Sequence, residues 1–267
     1  MDHQAAAGAR PGRLPITPQV PTSLDSRLES LKQWVAEVLA LREYELRPAS
    51  SDASFRRYFR ISASGASYIV MDAPPDKEDA ARFARIAHAL RQLNLHVPQV
   101  LAADYQQGFL LLDDFGQQSY LAALTEHTVD ALYGDALAAL LQLQTADTAA
   151  TGLSLPLYDD ALLRSEMGLF REWFLFRHLD LKLQAHEQQM LHEMENILIA
   201  SALAQPTAWV HRDYHSRNLM VTADRNPGIL DFQDAVVGPL TYDIVSLLKD
   251  CYIAWPPERV ESWAVGY

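Results

Sequence analysis

From about residue 24 the apolar positions fall into a helical rhythm. Leu24, Leu28, Leu31, Val35 and Val38 recur three or four apart, with Trp34 beside them, which predicts a helix over 24–41. Ser26 and Glu29 have the spacing of a capping box and mark its start. The rhythm then changes. Residues 44–49, 55–61 and 67–73 read as three short strands. The turns between them, 50–54 and 62–66, are rich in Ser, Asp and Gly. Residues 76–94 return to the helical period, and 97–104 with 108–112 pattern as a further strand pair. Residues 23–112 thus predict a small, mostly antiparallel sheet with helices on it.

From 119 onward helices dominate, over 119–124, 128–147, 159–179 and 186–204. Strand signals interrupt them at 208–210, read as paired with 219–221, and again at 228–231. Residues 241–255 return to helix, with Cys251 on its apolar face. A sheet-rich lobe followed by a helix-rich lobe is an α+β pattern. The boundary falls at 113–116, where the apolar run FLLL ends in DDFG. Residues 1–22 hold four prolines and little periodic pattern, which predicts a disordered arm. Three segments follow: the arm 1–22, a sheet lobe 23–112 and a helical lobe 113–267. The last residues, 258–267, look like an amphipathic helix with no stop signal, so the C-terminus is expected to be truncated.

Composition narrows this picture. The chain has 267 residues, 49 % hydrophobic and 21 % charged, as in ordinary globular proteins. A single cysteine excludes an intramolecular disulfide or a cysteine-based zinc site. No apolar run is long enough for a membrane span and the start lacks a signal-peptide core. A cytoplasmic location, with no membrane, nucleic-acid or obligate protein partner, is the expectation. The net charge of −12 is poor for neutralising nucleic-acid phosphates. It is also uneven: residues 1–112 carry +1 and residues 113–267 carry −13.

The strongest local signal is His211-Arg-Asp-Tyr-His-Ser-Arg-Asn218, followed by Leu230-Asp231-Phe232. Apolar, strand-like segments flank both stretches. The pattern presents an acid, an amide and a second acid toward one point: Asp213, Asn218 and Asp231. Phosphoryl transfer needs such a set. One acid orients and deprotonates an acceptor hydroxyl, while an amide oxygen and a carboxylate oxygen hold Mg²⁺ against phosphates. His211 and His215, four apart, have nothing around them to complete a zinc site.

These loops resemble the catalytic and metal-binding loops of the aminoglycoside phosphotransferase/choline kinase family, which has a protein-kinase-like fold. SFRRYFRI (54–61), IVMDAPP (69–75), LLLDDFG (110–116), HRDYHSRNLMV (211–221) and ILDFQDAVVGPLTYDIVSLLKD (229–250) are most similar to the anomeric N-acetylmuramate/N-acetylglucosamine kinases of bacterial cell-wall recycling. The resemblance covers roughly 25–255. It implies a two-lobed kinase that uses ATP and Mg²⁺ on the anomeric hydroxyl of a small sugar. Asp213 becomes the catalytic base, Asn218 and Asp231 the Mg²⁺ ligands, and Asp243 a structural acid behind the loop. Leu112 and Asp113 become part of the hinge that pairs with adenine.

Two departures stand out. The nucleotide loop is not glycine-rich; Ser51 and Ser54, with the turn amides, are the phosphate cradle. The third strand, YIVMDAPP, lacks the lysine that most kinases carry there. Arg56, Arg57 and Arg60 are candidates to replace its charge, and alternation puts Arg57 on the face opposite the other two. The sequence leaves open which one faces the phosphates. Glu166, Trp173, Arg177 and Arg217 are candidates for the acceptor pocket. The alternatives are a phosphotransferase of the same fold for another metabolite or aminoglycoside, and an inactive nucleotide-binding fragment.

Overall fold

The computed structural model describes residues 23–41, 43–50, 55–63 and 65–267. The arm 1–22 and the loop serines Ser51 and Ser54 lie outside the described residues. Residues 1–42 and 43–267 are two compact units. In the first, α1 spans Ser23–Val38. It already runs through Ser26, so the Ser26 and Glu29 pair lies within the helix rather than at its start. Glu29 instead accepts from Lys32 at 2.7 Å. The helix stops short of the predicted end because Ala40 turns left-handed, φ 50°, and the Leu41 N–H reaches back to Ala36 O at 3.1 Å.

In the second unit β1 (Glu45–Ser50), β2 (Arg57–Ala63), β3 (Ala66–Asp72), β4 (Val100–Asp104) and β5 (Phe109–Asp113) form one sheet in the order β1-β2-β3-β5-β4. Every pairing is antiparallel, as the turn-rich sequence implied. Period-two alternation puts Arg57, Phe59 and Ile61 on one face of β2 and Tyr58 and Arg60 on the other. Arg57 lies opposite Asp72 of β3 and binds it: Nε donates to Oδ2 at 2.9 Å, and Nη2 contacts the same oxygen. The Asp72 side chain is fully buried. Gly108 must be glycine: its φ is 74° and a Cβ there would stand 1.9 Å from Ala73 O. That close approach lets the Ala73 N–H donate to Gly108 O at 2.8 Å.

Helix α2 (Ala80–Gln92) begins later than the pattern suggested. The N–H groups of Lys77 and Glu78 both bond to Pro74 O at 2.9 Å, which makes a turn of these residues. Asp79 then caps the helix by accepting from the Arg82 N–H at 2.8 Å. Beyond the sheet come α3 (Tyr120–Ala123), α4 (Val129–Thr145) and α5 (Asp160–Leu169). The single helix expected over 159–179 changes pitch: Phe170–His178 is a π-helical segment whose rings stack at 5.4 and 5.7 Å. Helix α6 (Ala185–Leu203) follows.

The short strands pair differently from the reading of 208–210 with 219–221. β6 (Thr207–Val210) takes β9 (Val236–Pro239), a strand not foreseen, while β7 (Leu219–Met220) pairs β8 (Gly228–Ile229). β7 and β8 are joined closely enough to meet as a hairpin, which leaves β6 to the apolar run VVGP. Helix α7 (Tyr242–Leu248) is shorter than the predicted 241–255, and α8 (Pro257–Gly266) closes the chain. α7 ends before Asp250, whose carboxylate accepts the N–H groups of Tyr252 and Ser216, each at 2.9 Å. Cys251, expected on an apolar helix face, is therefore exposed.

A smaller cluster of Tyr158, Leu163, Ile199, Val210 and Val236 stands apart from the main core of this unit, which draws on both sheet and helices. Met71, Leu110 and Leu112 from the sheet join Phe83 and Ile86 of α2, Tyr133 and Leu140 of α4, and the loop residues Tyr214 and Phe232. Among the described residues no helix is long and apolar enough to cross a membrane. The Arg57–Asp72 pair ties β2 to β3 on the other face of the sheet, where the Asp72 side chain is fully buried, so removing Arg57 strands a buried charge. Arg57→Ala is expected to lower stability by about 3 kcal/mol in urea unfolding. A loss below about 0.5 kcal/mol, the scale of a neutral surface change, would show that the pair carries no such constraint.

Candidate active site

The loop 211–218 leaves β6 and is held from behind by a single carboxylate. Asp243, on α7, accepts the His211 N–H at 2.7 Å and the Arg212 N–H at 2.9 Å. These bonds accompany a left-handed residue, Arg212, with φ 79°, a conformation that non-glycine residues keep only when their surroundings impose it. The same turn delivers Asp213 to the lining of a cleft. The imidazole of His211 carries the link onward. It accepts the Asp213 N–H at Nδ1 (3.2 Å), which puts its proton on Nε2, where it donates to Leu230 O at 2.9 Å. Burial pushes its pKa down to about 4, so the ring is neutral.

Leu230 is followed by Asp231, again left-handed with φ 62°. The Asn218 side-chain NH₂ donates to Asp213 O at 3.0 Å, and the Leu230 N–H donates to Asn218 O at 2.8 Å. Asp213, Asn218 and Asp231 are thus fastened to one another through backbone. Gln233, noted in the sequence only as a departure after Phe232, is buried, and its NH₂ donates to Asp231 Oδ1 at 2.7 Å. The Phe232 ring lies 4.8 Å from Phe83 of α2. The Asp213 carboxyl is held above its ordinary range, first by burial and then by the charge of Asp231. Burial pushes Asp243 up to about 7, against the two N–H groups that favour its charged form.

These groups open into a cleft of about 710 Å³ lined from both the sheet and the helical part. Of the expected site residues, Arg56, Leu112, Asp113, Asp213, Arg217, Asn218 and Asp231 line it. Arg57 does not, since it is turned to Asp72. Glu166 is engaged elsewhere: it binds Arg212 Nη2 and accepts the hydroxyls of Tyr158 and Tyr242, the latter at 3.2 Å. Arg177 stacks 4.1 Å above the Trp173 ring and donates to Glu172 at 2.9 Å on an exposed stretch of the π-helical segment, outside the cleft lining. Arg60, one of the three candidates for the missing charge, lines the cleft but is bonded to Asp114; reading the sequence missed Asp250 behind Ser216. Asp250 carried a usable signal, an acid ending an apolar helical run.

Among the described residues no group of three or more His, Cys, Asp or Glu side chains is arranged to hold a metal. An acid beside an amide-plus-acid pair, on the helical wall of a cleft that an antiparallel sheet lines from the other side, is the arrangement of a phosphotransferase of the protein-kinase-like α+β fold. The chain belongs to the phosphotransferase enzyme family, whose model matches residues 45–267. It is 46 % identical over 253 residues to an N-acetylmuramate/N-acetylglucosamine kinase of Pseudomonas putida, covering 91 % of this chain and 74 % of that protein. Among solved structures, an aminoglycoside-3′-phosphotransferase of type VIII has a TM-score of 0.65 at 14 % identity, covering 91 % of this chain and 90 % of that one. The streptomycin–ATP ternary complex of another aminoglycoside phosphotransferase has a TM-score of 0.59 at 20 % identity, covering 89 % and 80 %.

The two buried titrating groups behind the loop act on stability with opposite sign. The folded state raises the pKa of Asp243 to about 7, so the stability its protonated form contributes is complete at low pH and is lost as pH rises through about 4 to 7. His211, depressed to about 4, gains stability over a similar range. Asp243→Asn removes only the first effect. The unfolding free energy of the unaltered protein is expected to fall relative to this variant as pH rises from about 4 to 7. Parallel pH curves in urea unfolding would refute the assignment.

Proposed function

We propose that this protein is an ATP-dependent sugar kinase that phosphorylates the anomeric hydroxyl of N-acetylmuramate or N-acetylglucosamine in the cytoplasm, serving peptidoglycan recycling. The observation that carries the reading is the convergence of Asp213, Asn218 and Asp231 on one cleft, in a chain so similar to a kinase of that name. Asp213 would orient the acceptor hydroxyl and take its proton as the sugar oxygen bonds to the γ-phosphorus and ADP leaves. Its raised pKa suits a base that must receive a proton near neutrality.

Mg²⁺ fits the residues present. Because the Asn218 NH₂ is committed to Asp213 O, its carbonyl oxygen is the atom left to ligate, beside the Asp231 carboxylate. One carboxylate and one amide oxygen suffice for an ion that keeps several waters and phosphate oxygens. When bound, the ion would neutralise charge on the phosphates. The sheet lobe, 23–112, would hold the nucleotide, with Leu112 and Asp113 at the adenine and the serines 51 and 54 at the phosphates. The helical lobe, 113–267, would hold the acceptor, with Arg217 at the acceptor side.

Mass spectrometry of the products from N-acetylmuramate and ATP is expected to show the sugar 1-phosphate. Asp213→Ala is expected to lower turnover by about 10³-fold while ATP binding is kept. Equal ADP release by the variant and the unaltered protein would contradict the reading.

A further inference from the structure

The central strand β3 brings no cation to the cleft, and its acid, Asp72, faces the other side of the sheet, bound to Arg57. Positive charge in the cleft lining comes from Arg56, Arg60 and Arg217, and their surroundings separate them. Arg60 is built into the wall: Nε and Nη2 donate to the two oxygens of Asp114 at 2.6 and 3.0 Å, and Nη2 donates to Gly116 O at 2.7 Å. The Asp114 carboxyl, held below its ordinary range chiefly by this arginine against the cost of burial, cements that arrangement. Arg217 is exposed, with its guanidinium 4.9 Å above the Tyr252 ring.

Arg56 differs from both. Its side chain is 10 % exposed; Nε stands 3.6 Å from Glu78 Oε2 and Nη2 stands 3.7 Å from Asp231 Oδ1. At those separations both acids hold the guanidinium in place by charge. Glu78 is itself placed by the turn at Pro74, through its N–H, immediately before the cap of α2. A guanidinium anchored at that depth, beside Asp231, offers the planar fork that matches phosphate oxygens.

We propose that Arg56 is the residue that contacts the nucleotide phosphates, and that Glu78 is the positioning residue that sets its guanidinium beside Asp231. This rests on the kinase reading above. It assigns one arginine out of the three in 56–60, and it names an anchor that the motif pattern did not contain.

Equilibrium binding tests it without turnover. Binding of ATP and of adenosine is measured by calorimetry, without acceptor, for the unaltered protein and for Arg56→Met, Arg56→Lys, Glu78→Gln and the Arg56→Met/Glu78→Gln pair. Melting temperatures are taken alongside. Arg56→Met is expected to weaken ATP about tenfold or more and to leave adenosine within about twofold. Arg56→Lys keeps the charge but loses the fork, so it is expected to fall between, and it remains measurable if Arg56→Met does not fold. Glu78→Gln is expected to weaken ATP about threefold, with no further loss in the Arg56→Met background. Unchanged ATP binding by both Arg56 variants overturns the proposal, as does equal weakening of ATP and adenosine. An additive Glu78→Gln effect overturns the anchoring role. Failure of the unaltered protein to bind ATP or adenosine overturns the kinase reading itself.

Discussion

Two backbone N–H groups, those of His211 and Arg212, converge on the buried carboxylate of Asp243, and the site hangs from that junction. A left-handed backbone at Arg212 is unfavourable in isolation; the paired bonds hold it, and Asp213 inherits its direction. Because His211 is held at the same point, its ring spans to the carbonyl of Leu230 and so sets where Asp231 begins. Asn218 closes the circuit by binding Asp213 O through its side chain and Leu230 through its own carbonyl. Asp213, Asn218 and Asp231 thereby share one rigid frame. Such a frame costs no reorganisation when charge develops in the cleft.

The opposite wall is built by a different rule. Here strand alternation sorts arginines: Arg57 goes to Asp72 on the other face of the sheet, while Arg56 and Arg60 go to the cleft. The pairing of Arg57 with Asp72 is also the local resolution of a conflict, since each would be costly to bury alone. The sheet can therefore carry an acid in its centre and still present positive charge to the cleft. The α2 start takes part as well, because Glu78 lies on the turn that precedes it and Phe83 of the same helix packs on Phe232 beside Asp231. Helix α2 touches both walls of the site.

How much of this was legible in the sequence depended on range. The offsets from Asp213 to Asn218 and Asp231 are local and flanked by apolar strands, so they could be read directly, and the antiparallel sheet followed from turns and alternation. What escaped was settled by partners distant in sequence. The β6–β9 pairing depends on which apolar run fills an edge, which periodicity does not encode. Helix α7 ends early because the Asp250 side chain serves Ser216, thirty-four positions back, although the apolar pattern runs on. Glu166 looked free to meet a sugar, yet it is claimed by Arg212, Tyr158 and Tyr242. Ser26 and Glu29 had the spacing of a cap, but spacing alone does not say where a helix begins.

The sorting of arginines along β2 bears on how this strand can change over generations. Substitution at Arg57 or Tyr58 alters one contact and leaves the others where they are. A single-residue insertion or deletion inside the strand exchanges its faces for every residue beyond it. Arg60 would then leave Asp114 for the far face of the sheet, and Phe59 would leave that face for the cleft. The strand is thus open to drift by replacement but closed to changes of length, and natural length variation should gather in the connections at its ends.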